Sequence, residues 1–253
     1  MKIRFTILGC GSSMGVPKAN GDWGKCNPLE RKNYRTRCSA LITTKNKNIL
    51  IDTSPDLREQ MIKNKIKKIN NVLYSHLHAD QTHGINDLRV FYMKNKKKII
   101  IYADQSTSKY LKDNFSYCFK NTTNYPSILN LKLIKKKTII DGVLIDSIPV
   151  RHGKINSQCY IINKKCAYAS DVDLIYEKDI KNFFKIDNLV IDCLRFKYHP
   201  THYNLDDVLK LVKNLKPKKT ILTNLHSDLD YNNLLKYLPK DVLPAYDGMN
   251  FNI

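Results

Sequence analysis

Short apolar runs separated by polar turns recur along the whole chain, and this pattern predicts a mixed α/β fold. Runs rich in Ile, Leu and Val are typical of buried strands, whereas apolar residues three or four positions apart indicate helices. Strands are predicted at 3–8, 39–44, 48–51, 71–74, 99–103, 131–134, 138–139, 143–150, 159–163, 166–169, 189–194 and 220–223. Helices are predicted at 57–66, 84–92, 206–215 and within 107–127. Two of the intervening turns, 45–47 and 164–165, are short enough to join their flanking strands as hairpins.

A histidine or an aspartate follows five of the predicted strands, at the point where each strand ends. These positions are Asp52, the group that begins at His76, His152, Asp171 and the segment around His226. When strand ends lie at one edge of a sheet sandwich, their turns come together. The pattern therefore predicts one site that is assembled from several turns.

The stretch 74–84 carries the densest group of these polar side chains. It holds His76, His78, Asp80 and His83 within eight residues. Imidazole and carboxylate are the ligands that zinc or manganese takes at neutral pH. If His76 and His78 stand on the end of a strand, both side chains project to the same face and chelate one ion. The alternative is a polar loop that carries histidines by chance, and the H-x-H-x-D spacing favours the metal site.

Length and composition narrow the class of protein. With 253 residues, the chain is long enough for a single domain over 1–253. It has no run of about 18 apolar residues, and its first residues indicate a strand that runs into a glycine turn, not a signal peptide. We therefore expect a soluble, cytoplasmic protein with no membrane partner. The seven cysteines include no C-x-x-C pair, which argues against a disulfide framework or a zinc ribbon.

The formal net charge of +20 would attract RNA, DNA or small phosphorylated substrates. Part of this charge reflects a general richness in Lys, Asn and Ile. The segment 20–37 has a loop-like composition and contains the only tryptophan together with several cationic side chains. A segment of this length between strands predicts a lid that faces the substrate.

These residues together resemble the metallo-β-lactamase-fold hydrolases. Within that superfamily the chain is similar to the phosphodiesterase branch that includes phosphoribosyl 1,2-cyclic phosphate phosphodiesterase of the carbon-phosphorus lyase pathway. The motifs that carry the resemblance lie at 8–13, 50–56, 76–80, 152–153, 170–171, 199–202 and 246–248, and so extend over nearly the whole chain. The resemblance implies an αββα sandwich, in which two mixed β-sheets are flanked by helices. It also implies a possible homodimer.

The resemblance assigns a role to each matching residue. His76, His78 and His152 match the three histidines of a first metal site, and Asp171 matches the carboxylate that bridges two ions. Asp80 matches the acidic ligand of the second site, which also orients the water. His202 is the best match for the acid that protonates the leaving oxygen, with His199 as the reserve.

The second metal site departs from the family pattern at two positions. Gln81 and Asn224 stand where the family usually has histidine. His83 and His226 each lie two residues further on, so on extended backbone they would point to the same side and rebuild the site. The alternatives are a weak second site or a protein with one metal ion. The family's cysteine-rich structural zinc site is not reproduced around Cys26.

The sequence therefore predicts a metal-dependent hydrolase, in which a metal-bound hydroxide attacks a cyclic or linear phosphodiester of a sugar or nucleotide. The residues expected around the ligands, where they would bond to ligand N–H groups or to turn backbone, are Asp52, Gln81, Asn224 and Asp247. Three alternatives stay open. One is RNA processing of the ribonuclease Z type, which the charge favours, and another is a non-catalytic metal-binding or nucleic-acid-binding protein with a degenerate second site. The third is thiolester or lactam hydrolysis, because a fold does not fix the substrate.

Overall fold

Fourteen strands and seven α-helices are present in the computed structural model, which describes residues 2–253. The strands are β1 Arg4–Gly9, β2 Ser39–Thr43, β3 Asn48–Ile51, β4 Asn71–Leu73, β5 Ile99–Ala103, β6 Leu129–Leu133, β7 Lys137–Ile140, β8 Val143–His152, β9 Ile155–Ile162, β10 Cys166–Ala169, β11 Asn188–Asp192, β12 Lys219–Thr223, β13 Val242–Pro244 and β14 Asn250–Asn252. The helices are α1 Leu57–Lys63, α2 Ala79–Thr82, α3 Arg89–Asn95, α4 Gln105–Asn114, α5 Ser116–Phe119, α6 Leu205–Leu215 and α7 Tyr231–Leu235. Shorter 3-10 helices lie at Arg31–Asn33, Ile85–Leu88 and Glu177–Phe183.

The strands form two seven-stranded sheets, and each sheet is mixed. The first has the order β14-β1-β2-β3-β4-β5-β6 and the second has the order β13-β12-β11-β10-β9-β8-β7. In both sheets one half is antiparallel, whereas the other half is parallel, from β3 to β6 and from β10 to β13. Parallel neighbours end at the same edge, so the loops that follow β3, β4, β10, β11 and β12 can meet.

Three apolar layers hold the sandwich together. Between the sheets, Phe5 packs against Tyr168 with ring centroids 5.7 Å apart, and the Tyr160 hydroxyl donates to the Tyr74 carbonyl at 2.7 Å. Outside the first sheet, Leu57 of α1 belongs to one apolar cluster, and outside the second sheet Val208 of α6 belongs to another. Each large apolar side chain buried in this way contributes roughly 1.5–3 kcal/mol.

The predicted αββα sandwich of two mixed sheets is confirmed, and so are both hairpins, β2 with β3 and β9 with β10. The helices α2 and α7 and the strands β13 and β14 were not predicted. These elements have only three to five residues, which is too short for a periodic pattern to show. Within residues 2–253, no helix is both long and apolar enough to cross a membrane.

The segment 20–37, expected to be a lid, is fastened to the body of the protein. Arg35 is only 1% exposed, and its guanidinium donates to the carbonyl of Leu229 at 2.7 Å and to the side chain of Asn33 at 3.1 Å. Asn33 in turn donates to the carboxylate of Asp230 at 2.6 Å. These buried contacts hold the segment against the chain around 226–231. Asn33 and Arg35 therefore have a structural role, and a substrate-facing lid stays a prediction for the rest of the segment.

Candidate metal centre

Three imidazoles converge at one point, two from a loop that follows the first sheet's β4 and one from β8 of the second sheet. His76 and His78 lie in the loop between β4 and α2, and His152 is the last residue of β8. His76 Nε2 and His78 Nδ1 are 2.9 Å apart, and His152 Nε2 and His78 Nδ1 are 3.3 Å apart. The predicted strand-end position of the first two histidines is wrong, because β4 already ends at Leu73. The loop nevertheless turns both rings toward His152.

Hydrogen bonds from neighbouring residues hold these rings in place. The buried carboxylate of Asp52 accepts the Ser75 backbone N–H at 2.7 Å, which sets the loop before His76, and the Ser75 hydroxyl lies 3.0 Å from His76 Nδ1. His152 Nδ1 lies 2.7 Å from the carbonyl oxygen of Thr201. A carbonyl only accepts, so His152 carries its proton on Nδ1 and its Nε2 lone pair faces the other two rings.

The protonation of the rings also suits a cation. Burial lowers the pKa of His76 to about 3 and is also the largest effect that lowers the pKa of His78. Both imidazoles are therefore neutral at pH 7 and can offer lone pairs. Burial acts to raise the pKa of Asp171, but the imidazoles of His76, His152 and His202 outweigh it and hold this pKa below its usual value.

A divalent ion fits this arrangement. With metal–nitrogen distances of about 2.0–2.1 Å, the edges of a tetrahedral site are about 3.3 Å long. The two nitrogen–nitrogen distances, 2.9 and 3.3 Å, are close to such edges. The three-histidine cluster His76, His78 and His152 therefore has the chemistry and spacing of a metal site.

Two carboxylates adjoin the three-histidine cluster. Asp171 follows β10, and Asp80 lies in the first turn of α2. Burial and the nearby charge of Asp171 raise the pKa of Asp80 to about 6, so Asp80 is largely ionised at pH 7. The amide nitrogen of Gln81 lies 3.1 Å from Asp80 Oδ2 and 3.2 Å from Asp171 Oδ2. Asn224 Nδ2 lies 3.5 Å from Asp171 Oδ1.

His202 adjoins the cluster from the opposite side, and its ring centroid is 4.7 Å from that of His152. Its Nδ1 lies 2.6 Å from Oδ2 of Asp192, the last residue of β11. The amide nitrogen of Asn224 is 3.1 Å from the other oxygen of Asp192. The sequence analysis did not single out Asp192 for a role. A lone carboxylate at the end of an apolar strand was the signal that could have found it.

The structure places His83 away from the cluster. Residues 79–82 form α2, and positions two apart on a helix point about 200° apart, so the extended-backbone assumption that paired His83 with Gln81 is wrong. His83 is exposed, and its Nε2 lies 3.0 Å from the Tyr110 hydroxyl.

The same assumption is wrong for His226, because Asn224 has left-handed backbone with φ of 60°. His226 lines the same cavity as His78 and Asp80, but its Nδ1 contacts Asp228, with distances of 3.3 Å to the backbone N–H and 3.4 Å to the carboxylate. Neither His83 nor His226 joins the convergent ligand groups that the structure forms.

Asp52 and Asp247 both support turns. Asp52 holds Ser75 next to the first metal-site histidine, as described above. Asp247 accepts the backbone N–H groups of Cys10 and Thr36 at 3.1 and 2.8 Å, and burial raises its pKa to about 6. Asp247 thus ties the glycine turn after β1 to the start of β2, at a distance from the metal ligands.

A cavity of about 330 Å³ opens onto these groups. Besides the residues already described, Ser12, Arg195 and His199 line it. Within residues 2–253, the Ser12 hydroxyl and Arg195 Nε are buried and have no hydrogen-bond partner. A larger groove of about 1040 Å³, lined by residues such as Ile62, Val90 and Lys65, shares no lining residue with the cavity.

The sequence and the structure of this chain are similar to those of known proteins. Residues 47–224 match the model of the beta-lactamase superfamily domain, and the chain belongs to that family. A crystal structure described as a new diphosphatase from the PhnP family has a TM-score of 0.93 and 31% identity, and the match covers 100% of this chain and 98% of that one. The chain is thus a hydrolase of the metallo-β-lactamase fold, close to the phosphodiesterase branch that the sequence resembles.

More distant solved structures share the fold alone. Zn²⁺-bound PqqB from Methylobacterium extorquens has a TM-score of 0.78 at 15% identity, with 99% of this chain and 100% of that chain covered. The short form of human tRNase Z has a TM-score of 0.72 at 15% identity, with 98% of both chains covered.

Among curated proteins, the octanoyltransferase of Porphyromonas gingivalis (strain ATCC BAA-308 / W83) is 29% identical over 255 residues, which is 98% of this chain and 51% of that protein. The chain therefore spans about half the length of this relative.

Proposed function

We propose that this protein is a metal-dependent phosphodiesterase that hydrolyses a small phosphorylated substrate, such as a cyclic or linear phosphodiester of a sugar or nucleotide. The observation that carries the proposal is one cavity that combines the three-histidine cluster with a carboxylate, Asp80, and a hydrogen-bonded histidine, His202. Hydrolysis of a phosphodiester needs all three: a site for a cation, a base for water and an acid for the leaving oxygen.

The three-histidine cluster would hold zinc or manganese, which makes bound water more acidic and stabilises charge on the phosphoryl oxygens. Asp80 adjoins the cluster, and its pKa of about 6 leaves it ionised at neutral pH. Its carboxylate accepts a proton from the attacking water and orients that water toward phosphorus. Asp171 is held ionised by the surrounding imidazoles and keeps the region negative enough to retain a cation.

His202 is suited to donate a proton to the leaving oxygen. Burial disfavours its charged form, but the carboxylate of Asp192 at 2.6 Å outweighs burial and raises the pKa of His202 to about 9. The ring is therefore protonated at neutral pH. Nδ1 is taken by Asp192, so Nε2 is the atom that would give its proton to the substrate.

Two donor side chains in the cavity lining support a phosphate-bearing substrate. Ser12 and Arg195 line the cavity, and within the described residues Ser12 Oγ and Arg195 Nε have no hydrogen-bond partner in the protein. Hydroxyl and guanidinium groups are donors that bind phosphate oxygens. The volume of about 330 Å³ is at the lower end of the range for small-molecule sites.

An assay with several substrates tests the proposal. The protein, loaded with zinc or manganese, is given bis(4-nitrophenyl) phosphate, a nucleoside 2′,3′-cyclic phosphate, a nucleoside diphosphate ester and a β-lactam. The diphosphate ester is included because a close relative in structure is a diphosphatase. We expect hydrolysis of at least one phosphate ester, with kcat lowered about 100-fold in His202→Asn.

The matched control for this assay is His83→Asn, which changes an exposed histidine and should leave kcat unchanged. If the metal-loaded protein hydrolyses the β-lactam but no phosphate ester, the proposal is wrong.

RNA processing is the second candidate, because the net charge of +20 favours a polyanion. The same preparation incubated with a precursor tRNA would show salt-sensitive cleavage if RNA were the substrate. Hydrolysis of small phosphate esters without RNA cleavage would favour the first proposal.

A further inference from the structure

Two side-chain amides fill the space beside Asp171 and Asp80. Gln81 Nε2 lies 3.2 Å from Asp171 Oδ2 and 3.1 Å from Asp80 Oδ2. Asn224 Nδ2 lies 3.5 Å from Asp171 Oδ1 and 3.1 Å from Asp192 Oδ1. Both oxygens of Asp171 therefore face an amide N–H group, and these contacts are buried except the one between Gln81 and Asp80, which is partly exposed.

The carboxylates determine which way the amides point. An ionised carboxylate only accepts hydrogen bonds, so each amide must turn its NH₂ group toward it. An amide NH₂ group has no lone pair for a metal ion. The oxygen of Gln81 points elsewhere and, within residues 2–253, is buried without a hydrogen-bond partner. In this orientation Gln81 and Asn224 cannot act as metal ligands.

The amide of Gln81 takes up the space between Asp80 and Asp171 in which a second cation would lie. An ion shared by Asp80 and Asp171 would lie about 2.0–2.2 Å from an oxygen of each. Gln81 Nε2 already lies within hydrogen-bonding distance of one oxygen of both residues. His83 and His226 do not supply the missing nitrogen ligands, because the first lies beside Tyr110 on the surface and the second, although it lines the cavity, does not converge with the other ligand groups.

The backbone at residue 224 also suits the amide. Asn224 has φ of 60°, which is left-handed backbone. Asparagine enters this region more readily than most residues that have a side chain. At the place of the second metal site, the side chains of both Gln81 and Asn224 are therefore suited to hydrogen bonding.

We infer that this chain holds one divalent ion, in the three-histidine cluster, and that the amides of Gln81 and Asn224 take the place of a second cation. The N–H groups stabilise the negative charge of Asp171 and Asp80 and keep both carboxylates beside the single ion. The inference rests on the proposed function for the presence of the first ion. In this arrangement the amides of Gln81 and Asn224 hold the carboxylates of Asp80 and Asp171 in position.

Metal content per chain tests the inference without any assay of activity. The purified protein is loaded with excess zinc, desalted and measured by elemental analysis against the protein concentration. We expect one equivalent per chain. Two tightly bound equivalents would overturn the inference but leave the proposed function standing, whereas no bound ion would overturn both.

A double variant, Gln81→His with Asn224→His, tests whether the amides exclude the second ion. Two imidazoles would replace the donors with lone pairs beside Asp80 and Asp171, and we expect the content to rise toward two equivalents. The matched control is Gln105→His with Asn130→His, which adds two histidines at exposed positions and should stay at one. A folded double variant that still binds one equivalent would overturn the role of the amides.

Gln81→Glu keeps the test decisive if the double variant does not fold. This change preserves the shape of the side chain but replaces its N–H donors with an acceptor between two carboxylates. We expect a second zinc equivalent to bind, together with a larger rise in melting temperature on adding zinc than in the unchanged protein. One equivalent and an unchanged rise would contradict the inference.

Discussion

His202 Nδ1 donates a 2.6 Å hydrogen bond to Oδ2 of Asp192. Burial by itself acts to lower the pKa of the imidazole and to raise the pKa of the carboxyl group. The carboxylate raises the pKa of His202 to about 9 in spite of burial. A cationic neighbour should lower the pKa of Asp192, yet burial of this carboxyl is the larger effect and raises its pKa to about 6. Both groups are therefore charged between about pH 6 and pH 9.

This pair predicts the pH dependence of hydrolysis. The rate should be highest between pH 6 and pH 9, because below this window Asp192 gains a proton and above it His202 loses the proton that it must donate. In Asp192→Asn the imidazolium loses its anionic partner, so the pKa of His202 falls and the alkaline limb moves to lower pH. Initial rates across pH 5–10 measure the shift. An alkaline limb that stays in place would show that another group titrates there.

The three-histidine cluster predicts which histidines retain metal. His76→Ala combined with His78→Ala removes two of the three convergent nitrogens, so the bound ion should be lost while the protein remains folded. His83→Ala is the control, since His83 is exposed and lies outside the cluster. Elemental analysis gives the metal content, and circular dichroism checks the fold. Full retention of metal in the double variant would contradict the ligand assignment.

The close approach of Gly153 to Thr201 predicts that a change in the turn after β8 also affects metal binding. Its φ is 61°, and an added Cβ would lie 2.5 Å from Thr201 Cγ2, in the residue whose carbonyl holds His152. Gly153→Ala should lower stability by about 1–2 kcal/mol through the backbone and also weaken metal binding by displacing Thr201.

Gly21→Ala is the matched control for this change. Gly21 has φ of 83° but no atom within 4 Å of an added Cβ, so only stability should fall. Melting temperature and a zinc titration distinguish the two effects, and equal zinc affinity in both variants would contradict the link.

The buried hydrogen bonds of Arg35 predict that replacing this residue lowers the stability of the protein, although Arg35 is not part of the metal centre. Arg35→Met keeps the apolar stem but leaves the carbonyl of Leu229 without its donor, whereas the carbonyl of His226 still accepts the Leu229 N–H. The expected loss is about 1–3 kcal/mol, which is the cost of one buried unsatisfied group. Urea unfolding measures this loss. Arg31→Met changes an exposed arginine of the same segment and should be nearly neutral.

The sequence by itself determined the fold class, the two hairpins and the three histidines that converge. These features depend on local patterns, because strand alternation and turn length are visible within a few residues. The ligands follow strands or lie in the loop after one, so the strand ends predicted that these turns meet, and the family resemblance assigned His76, His78 and His152 to one site. The position of Asp171 after β10 followed in the same way.

Only the tertiary structure decided the roles of Gln81, Asp192, Arg35 and His83. The four-residue helix α2 turns Gln81 toward Asp171 and His83 toward Tyr110, and so short a helix has no periodicity to detect. Asp192 and Arg35 acquire their roles from partners on other elements, His202 and the chain around Leu229. The direction of a side chain and the partner of a buried charge depend on packing between distant segments, which no local pattern contains.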